Sequence, residues 1–287
     1  MPLLQHSLIH DVHRDRVKAS HVLNQRIKQH LKKSTRHPLI TLHDRICYPL
    51  CNEGSGTWGH WIGHNLPRAL IFLDAHPDGL VIVPKSYFGR RSSFGAVLAK
   101  YISKDSIYQA PENTVISIRH CASVDLPYAK GVFHPLMVEY IKKLRLNRSG
   151  QVQSNHYIKR AGRRRSIVNN SELEYALQDF NIRPVALDLG DVDHQLELWA
   201  SSGLVMGVLG SDLVNMALGS PEAICAITPH WFGDVFFYGL ASALGIIWNE
   251  YYGGVIHEEH RPLHSSTFNL DINEFCVFLN YALIGSS

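Results

Sequence analysis

Three groups of residues in this chain have the types and spacing to do chemistry. The first is Trp58, His60, Trp61, His64, Asn65, Pro67 and Arg68. His60, His64 and Arg68 stand at i, i+4 and i+8, which is one face of a helix. A histidine there can serve as a general base near neutral pH, with aromatic and arginine neighbours to hold a polar substrate. An i, i+4 histidine pair also suits zinc, but no glutamate follows the first histidine, so the metalloprotease pattern is absent. The plain alternative is a half-buried amphipathic helix whose histidines are satisfied internally. The second group is Lys159, Arg160, Arg163, Arg164 and Arg165, placed between an expected strand and a helix start. Backbone N–H groups and the positive helix end favour an anion at such a place, and arginine gives bidentate contacts to phosphate oxygens. A diphosphate is the natural guest, and a solvated basic loop is the alternative. The third group is Gly210-Ser211-Asp212, where a buried strand turns directly into a helix, a geometry that brings phosphate close to backbone amides. It is neither G-x-G-x-x-G nor a Walker A sequence. No G-x-S-x-G and no cysteine with a local nucleophile signature occurs, and Met206 and Met216 read as core.

The elements that must position these residues alternate. An amphipathic helix is expected over 12–33, with Val17, Val22, Leu23, Ile27 and Leu31 on one face and Arg, Lys and His opposite. That basic face either lies in solvent or meets an anionic membrane surface. "PLITLHDRICYPL" reads as one strand. "TWGHWIGHNLPRALIFLDAH" reads as a helix that Thr57 opens and Pro67 kinks or restarts. "GLVIVP" and "NTVISIRH" read as strands, with helices at "SFGAVLAKYI" and "HPLMVEYIKKLRL". The polar stretch 147–155 marks a domain boundary. Beyond it come strands at "HYIKR", "RPVALDL", "GLVMGVLG", "EAICAIT" and "IIWNEYY". Helices alternate with them, one opened by Ser171 and Glu174 in capping-box spacing. Another is capped by Asp193 and stopped by Gly203. A last helix, opened by Asp271 and Glu274, runs to about Leu283. Strands alternating with short helices mean parallel α/β sheets. The expectation is therefore two Rossmann-like, doubly wound domains facing a cleft. The first spans 1–150, the second 151–270, and the helix 271–287 returns to the first. In such sheets ligands sit at the carboxyl ends of the strands.

Composition narrows the class. The chain has 287 residues, of which 45% are hydrophobic and 18% charged, a globular composition with ample core. Its net charge of +3 leaves any anion binding to local clusters. Nucleic acid is not expected, because there is no second basic and aromatic stripe to follow a backbone. No apolar run reaches the roughly 18 residues of a spanning helix, and the first residues are too polar for a signal-peptide core. Five cysteines at irregular spacing do not make a disulfide framework, so a reducing, cytoplasmic setting is expected.

Taken in order, these segments resemble glycosyltransferase family 61, whose bacterial members include capsular polysaccharide biosynthesis proteins. The family's aromatic-x-HW…PR segment stands here as "WGHWIGHNLPRAL". Its S-R…R-R-x-x-N-E-x-E-L segment stands as "YIKRAGRRRSIVNNSEL", with Arg160, Arg165, Asn169 and Glu172 in register. Gln195 matches a helical glutamine, "LGSDLVNM" the strand–HGAGL-x-N turn, and "LGSPEAICAI" loosely the PPG-x-x-V-I-E segment. The resemblance implies a GT-B arrangement and inverting transfer from a nucleotide-diphospho-sugar to a cell-surface glycan or its lipid-linked precursor, without metal or other cofactor. On it, His60 would be the catalytic base, and His64 and Arg68 would shape the acceptor side. Arg160 and Arg165 would neutralise the leaving diphosphate, and Gly210, Ser211, Asp212 and Asn215 would cradle the nucleotide. The chain departs from the pattern at Leu209 (His in the family), Asp212 (Gly), Ala226 (Glu) and Asn170 (Glu). These departures define the alternative, a non-catalytic relative that binds sugar or partner proteins.

Overall fold

The computed structural model describes residues 38–50, 56–89, 92–124, 131–145, 154–160, 164–188, 191–256 and 266–284. The expected helix over 12–33, with its membrane contact, lies outside the described residues, as does Arg163. The chain forms two compact units, Met1–Leu126 and Pro127–Ser287.

In the first unit, strands β1 (Leu39–Leu42), β2 (Cys47–Pro49), β3 (Leu80–Pro84), β4 (Ile107–Ala110) and β5 (Val115–Ile118) pair in parallel, as β1-β5 and as β2-β3-β4. The stretch read as one strand is two. The break falls around Arg45, whose guanidinium donates to the carbonyls of Asp78, Gly79 and Asp105 at 2.6, 2.5 and 2.7 Å. A side chain that ties its own turn to two other loops at one end of the sheet fixes where the strand must turn, and no periodicity in the sequence reports it. Ile82, Ile116, Ile118 and Cys47 form the core beneath.

The helix carrying His60 has three pieces: an α turn Trp58–His60, a π turn Trp61–Asn65 and an α-helix Leu66–Ala75. Pro67 is the cause. It has no N–H to give the carbonyl of Gly63, so the ladder slips by one, and Leu66 N–H donates to Trp61 O. The helix then restarts with proline in its first turn, where the missing donor does no harm.

The second unit is built on five parallel strands in the order β10-β9-β8-β6-β7: β6 is Ser154–Lys159, β7 Ile182–Ala186, β8 Ser202–Val208, β9 Ala223–Thr228 and β10 Ile247–Tyr252. Counted from β6, this is the order 2-1-3-4-5 of a doubly wound sheet. β8 and β9 are buried along their whole length, which is why they read as continuous apolar runs. Tyr157, Met206, Val208, Cys225, Ile227 and Tyr251 face one side, against Leu173 and Leu177 of one helical stretch and Phe275 and Leu279 of the last helix, Ile272–Ile284. On the other side the helices Val192–Ala200, Met216–Gly219, Val235–Leu244 and Pro135–Lys143 pack on one another. A short antiparallel pair, β11 (Val255–Ile256) and β12 (Phe268–Asn269), lies beyond β10.

Two boundaries differ from the sequence expectation. The helix Pro135–Lys143 belongs to the second unit. Arg145 donates to Leu244 O at 3.1 Å, and Phe133 packs on Phe236 with centroids 5.4 Å apart. Gly131 and Gly239 bring their backbones so close that a Cβ on Gly239 would collide with the Gly131 carbonyl. The last helix stays with the second unit too, its Phe275 and Leu279 fully buried there. Caps moved as well. Asp191, not Asp193, caps Val192–Ala200 by accepting from His194 N–H at 2.9 Å, and Gly203 lies inside β8. Glu174 forms no capping box, being spent on Lys159 at 2.8 Å and on the Asn170 amide. Asp271 does cap, accepting from Glu274 N–H at 3.0 Å.

Candidate functional site

The strand order of the second unit reverses between β6 and β8, and an open α/β sheet has its crevice at that switch point, past the carboxyl ends of the strands. Arg160 is the first residue beyond β6, and Gly210 lies two beyond β8. They meet. Arg160 Nη1 donates to Leu209 O at 3.4 Å, and its guanidinium lies where a Cβ on residue 210 would be. The backbone of Gly210 is extended, so glycine is needed here for space rather than for twist. Ser211 and Asp212 follow, half-buried, and open the 3₁₀ turn Ser211–Asn215.

Arg165 joins them from the turn after β6. Its backbone is left-handed, φ 51°, and its guanidinium stacks 4.2 Å above the ring of Phe232. Its pKa is held down at about 10, first by burial and then by Arg160, while Asp234 and Asp212 oppose the fall. Burial also lowers Arg160, with Asp212 opposing and Arg164 adding to the effect. Arg160 and Arg165 thus both feel Asp212 and Arg164, and Arg165 also feels Arg160 and Asp234. Fixed backbone holds the turn in place. Asn169 both donates to Leu270 O and accepts from Leu270 N–H at 2.9 Å, and Val168 N–H donates to Phe268 O at 2.8 Å. Asn215 lies beneath the corner. It is 1% exposed, and its amide donates to Gln195 Oε1 at 3.2 Å, while Gln195 Nε2 donates to Asp188 O at 2.5 Å. That chain braces the turn from inside.

The arrangement can bind an oxyanion between two strand ends, with guanidinium groups placed to balance its charge. Among the described residues no three His, Cys, Asp or Glu side chains come together to hold a metal. The sequence reading missed Phe232 and Asp234. Asp234 accepts from Phe236 N–H at 3.0 Å and caps Val235–Leu244. The Gly-Asp pair ahead of an apolar helix was the available signal for it.

In the first unit, His60 is exposed and His64 is 7% exposed, with their Nδ1 atoms 3.1 Å apart. Arg68 follows, half-buried, on the restarted helix. Trp61 packs edge-on against Tyr87 and Trp58 against Phe94, fixing this helix to the segment after β3. There a cavity of about 640 Å³ opens past β3 and β4, lined by Lys85, Ser86, Phe88, Gln109 and Glu112 among others.

The model of the family described as Glycosyltransferase 61 matches residues 58–226, more than half of the chain, taking in His60 to Arg68 and Arg160 to Asn215. The chain belongs to glycosyltransferase family 61. No curated protein sequence matches this glycosyltransferase. Solved structures do, among them a dodecameric iron-containing heptosyltransferase, TibC, in complex with ADP-D-beta-D-heptose. That likeness has 11% identity and a TM-score of 0.36, and covers 87% of this chain and 77% of the other. At that level it says nothing of substrate, metal or assembly. Within the family 61 domain, Leu209 and Ala226 are fully buried. Ala226 lies in register with Gly207 on one side and Glu250 on the other. Glu250 accepts from Thr228 Oγ1 at 2.7 Å and from Trp248 Nε1 at 2.9 Å.

Proposed function

We propose that this family 61 glycosyltransferase moves a sugar, with inversion, from a nucleotide-diphospho-sugar to a hydroxyl of a cell-surface polysaccharide or glycan precursor of the capsular type. The observation that carries the donor class is the switch-point crest, where Arg160 stands at the Gly210 corner and Arg165, stacked on Phe232, feels its charge. In this reading the second unit holds the donor and the first the acceptor, as the two domains of a GT-B enzyme. His60 takes the proton of the acceptor hydroxyl. The freed oxygen forms its bond to the anomeric carbon from the face opposite the diphosphate, whose C–O bond breaks and whose oxygen leaves with the electron pair. Arg160 and Arg165 balance the charge that develops there, so no metal is required. Arg68 belongs to the acceptor side. The donor is a soluble cytoplasmic metabolite class, which puts the reaction on the cytoplasmic side, with residues 12–33 as the segment that would meet a membrane.

Calorimetry with UDP, ADP and GDP tests the donor site. Arg160→Ala and Arg165→Ala weaken binding of the best nucleotide, and unchanged affinity refutes the assignment. His60→Ala abolishes turnover and spares donor binding; a fully active variant removes His60 as base. Leu209 and Ala226, apolar and buried where the family shows His and Glu, favour one second reading. It is a relative that binds nucleotide-sugar without transferring it, and nucleotide binding with no turnover across a donor panel is its mark.

A further inference from the structure

The histidine pair in the first unit is asymmetric. His60 is exposed and His64 is buried, yet their Nδ1 atoms face each other at 3.1 Å, with ring centroids 5.2 Å apart and planes tilted by 37°. One Nδ1 must donate and the other accept. The pair stands at i, i+4, a spacing that brings side chains together on a helix, and its second member lies in the π turn Trp61–Asn65 ahead of Pro67. π turns recur at functional sites.

We infer that His64 is a positioning residue for His60: its buried Nδ1 accepts the His60 Nδ1–H and thereby leaves Nε2 as the unprotonated basic nitrogen of the exposed His60 ring. The inference rests on the reading of His60 as base, and it moves His64 away from direct contact with the acceptor. The opposite donor direction would put the His60 proton on Nε2, where no substrate proton could be accepted. The partner that takes the Nδ1–H therefore decides whether the ring works as a base. When Nε2 takes the acceptor proton, the imidazolium keeps its Nδ1–H on His64, so the ring does not turn while it is charged. After transfer, Nε2 gives that proton to solvent and the starting tautomer returns. Two nitrogens at this spacing could also be two ligands of one small divalent cation. Among the described residues no group of three His, Cys, Asp or Glu side chains supports that use.

The test needs no identified acceptor. In ¹⁵N-labelled full-length protein at pH 8, heteronuclear NMR shows His60 protonated at Nδ1 and free at Nε2. In His64→Phe, which keeps an aromatic ring and removes the acceptor, His60 reverts to the Nε2–H tautomer. Hydrolysis of UDP-, GDP- and ADP-sugars, with water as acceptor, falls about 100-fold in kcat in His64→Phe, at the lower end of what general-base catalysis supplies. The donor KM is unchanged. His64→Asn, whose amide oxygen can accept, recovers at least tenfold of the loss. A side chain that merely touched the glycan acceptor would leave hydrolysis by water untouched, so unchanged hydrolysis in His64→Phe overturns the inference. So does an Nε2–H tautomer of His60 in the unaltered protein, or stoichiometric zinc or iron that His64→Phe releases. A fully active His60→Ala variant overturns the base assignment itself, and the NMR tautomer then decides the hydrogen bond separately.

Discussion

Gly210→Ala is the sharpest perturbation of the crest, because it changes no charge. A Cβ at this position would fall on the Arg160 guanidinium, with Nη2 and Cζ at 3.1 and 3.2 Å and Nη1 closer still. The obstacle is the far end of a flexible side chain, so the guanidinium swings aside and the backbone stays. The extended φ of Gly210 is open to alanine without strain. Folding stability should therefore change by less than about 1 kcal/mol, the size of a weak hydrogen bond such as that from Nη1 to Leu209 O at 3.4 Å. Binding should change more. Moving Arg160 out of the crevice removes a charge-assisted contact to a diphosphate, worth about 1.5–3 kcal/mol, which is roughly 10- to 150-fold in Kd. Calorimetry with UDP, ADP and GDP, paired with thermal unfolding of the free protein, reads both quantities. Unaltered affinity for the nucleotide that binds best, together with an unaltered melting temperature, would refute the placement of the diphosphate at this corner. A collapse of the melting temperature would show that the guanidinium cannot move, and that the corner is a structural joint.

Other consequences can be measured directly. Asp212 offsets the arginine charge in the unliganded crest, so Asp212→Asn should tighten nucleoside-diphosphate binding up to about fivefold, the reach of a partly exposed ion pair; weaker binding in calorimetry would make Asp212 a true donor contact. Gly239→Ala drives a Cβ into the Gly131 carbonyl, which is backbone and cannot rotate away. It should cost about 1–3 kcal/mol and lower the melting temperature by several degrees, whereas an unchanged value would deny that the Pro135–Lys143 helix is locked to Val235–Leu244. His156 is buried between Ser202 Oγ at 2.8 Å and Ser154 Oγ at 3.1 Å. Burial lowers its pKa, and Arg183 lowers it further. The folded state thus prefers the neutral ring, and its stability contribution is whole above about pH 6.5 and declines as pH falls below that, by at most about 1.4 kcal/mol per unit. Urea unfolding at pH 7.5 and 5.5 should show that decline shrink in His156→Gln; an identical pH dependence would remove His156 as its source.

The strand ends that carry Arg160 and Gly210 were easier to read than the boundaries. Arg160 and Gly210 were legible because each follows a short apolar run at a strand–turn–helix junction. That strands β6 and β8 lie side by side, so that the two residues meet, is a matter of strand order, and no local pattern encodes it. Strands buried on both faces lose the alternation that would orient them, as β8 and β9 show. The domain boundary was misplaced because the stretch 147–155 is the most polar break, whereas the second unit begins at Pro127, with close packing of Gly131 and Phe133 that composition does not mark. Asp191 and Asp193 are equally good caps by residue type, and the difference lies in which one reaches the His194 amide. The His60–His64 spacing was visible as one helical face. Its hydrogen bond was not, since that depends on the side-chain rotamers that turn the two Nδ1 atoms toward each other, which spacing does not encode.

The losses from the family pattern and the retained arginines bear on the donor site in different ways. Ala226 has a carboxylate beside it after all, because Glu250 is its register neighbour on β10. Both oxygens of that carboxylate are engaged, one by Thr228 and the other by Trp248. Withdrawing either bond to serve a ligand would leave a buried hydroxyl or a half-buried indole N–H to be satisfied some other way. Glu250 therefore ties β10 to β9 and is a poor substitute for a ligand-facing acid. In the proposed reading, recognition on this side then falls to the crest, where burial and neighbouring arginines already disfavour the charges of Arg160 and Arg165. An entering dianion relieves that repulsion, so binding and stability rise together. A saturating nucleoside diphosphate should raise the melting temperature of the unaltered protein and do so far less in Arg165→Ala. Equal shifts in the two proteins would mean that the nucleotide binds away from the switch point, and that the arginine crest serves another anion.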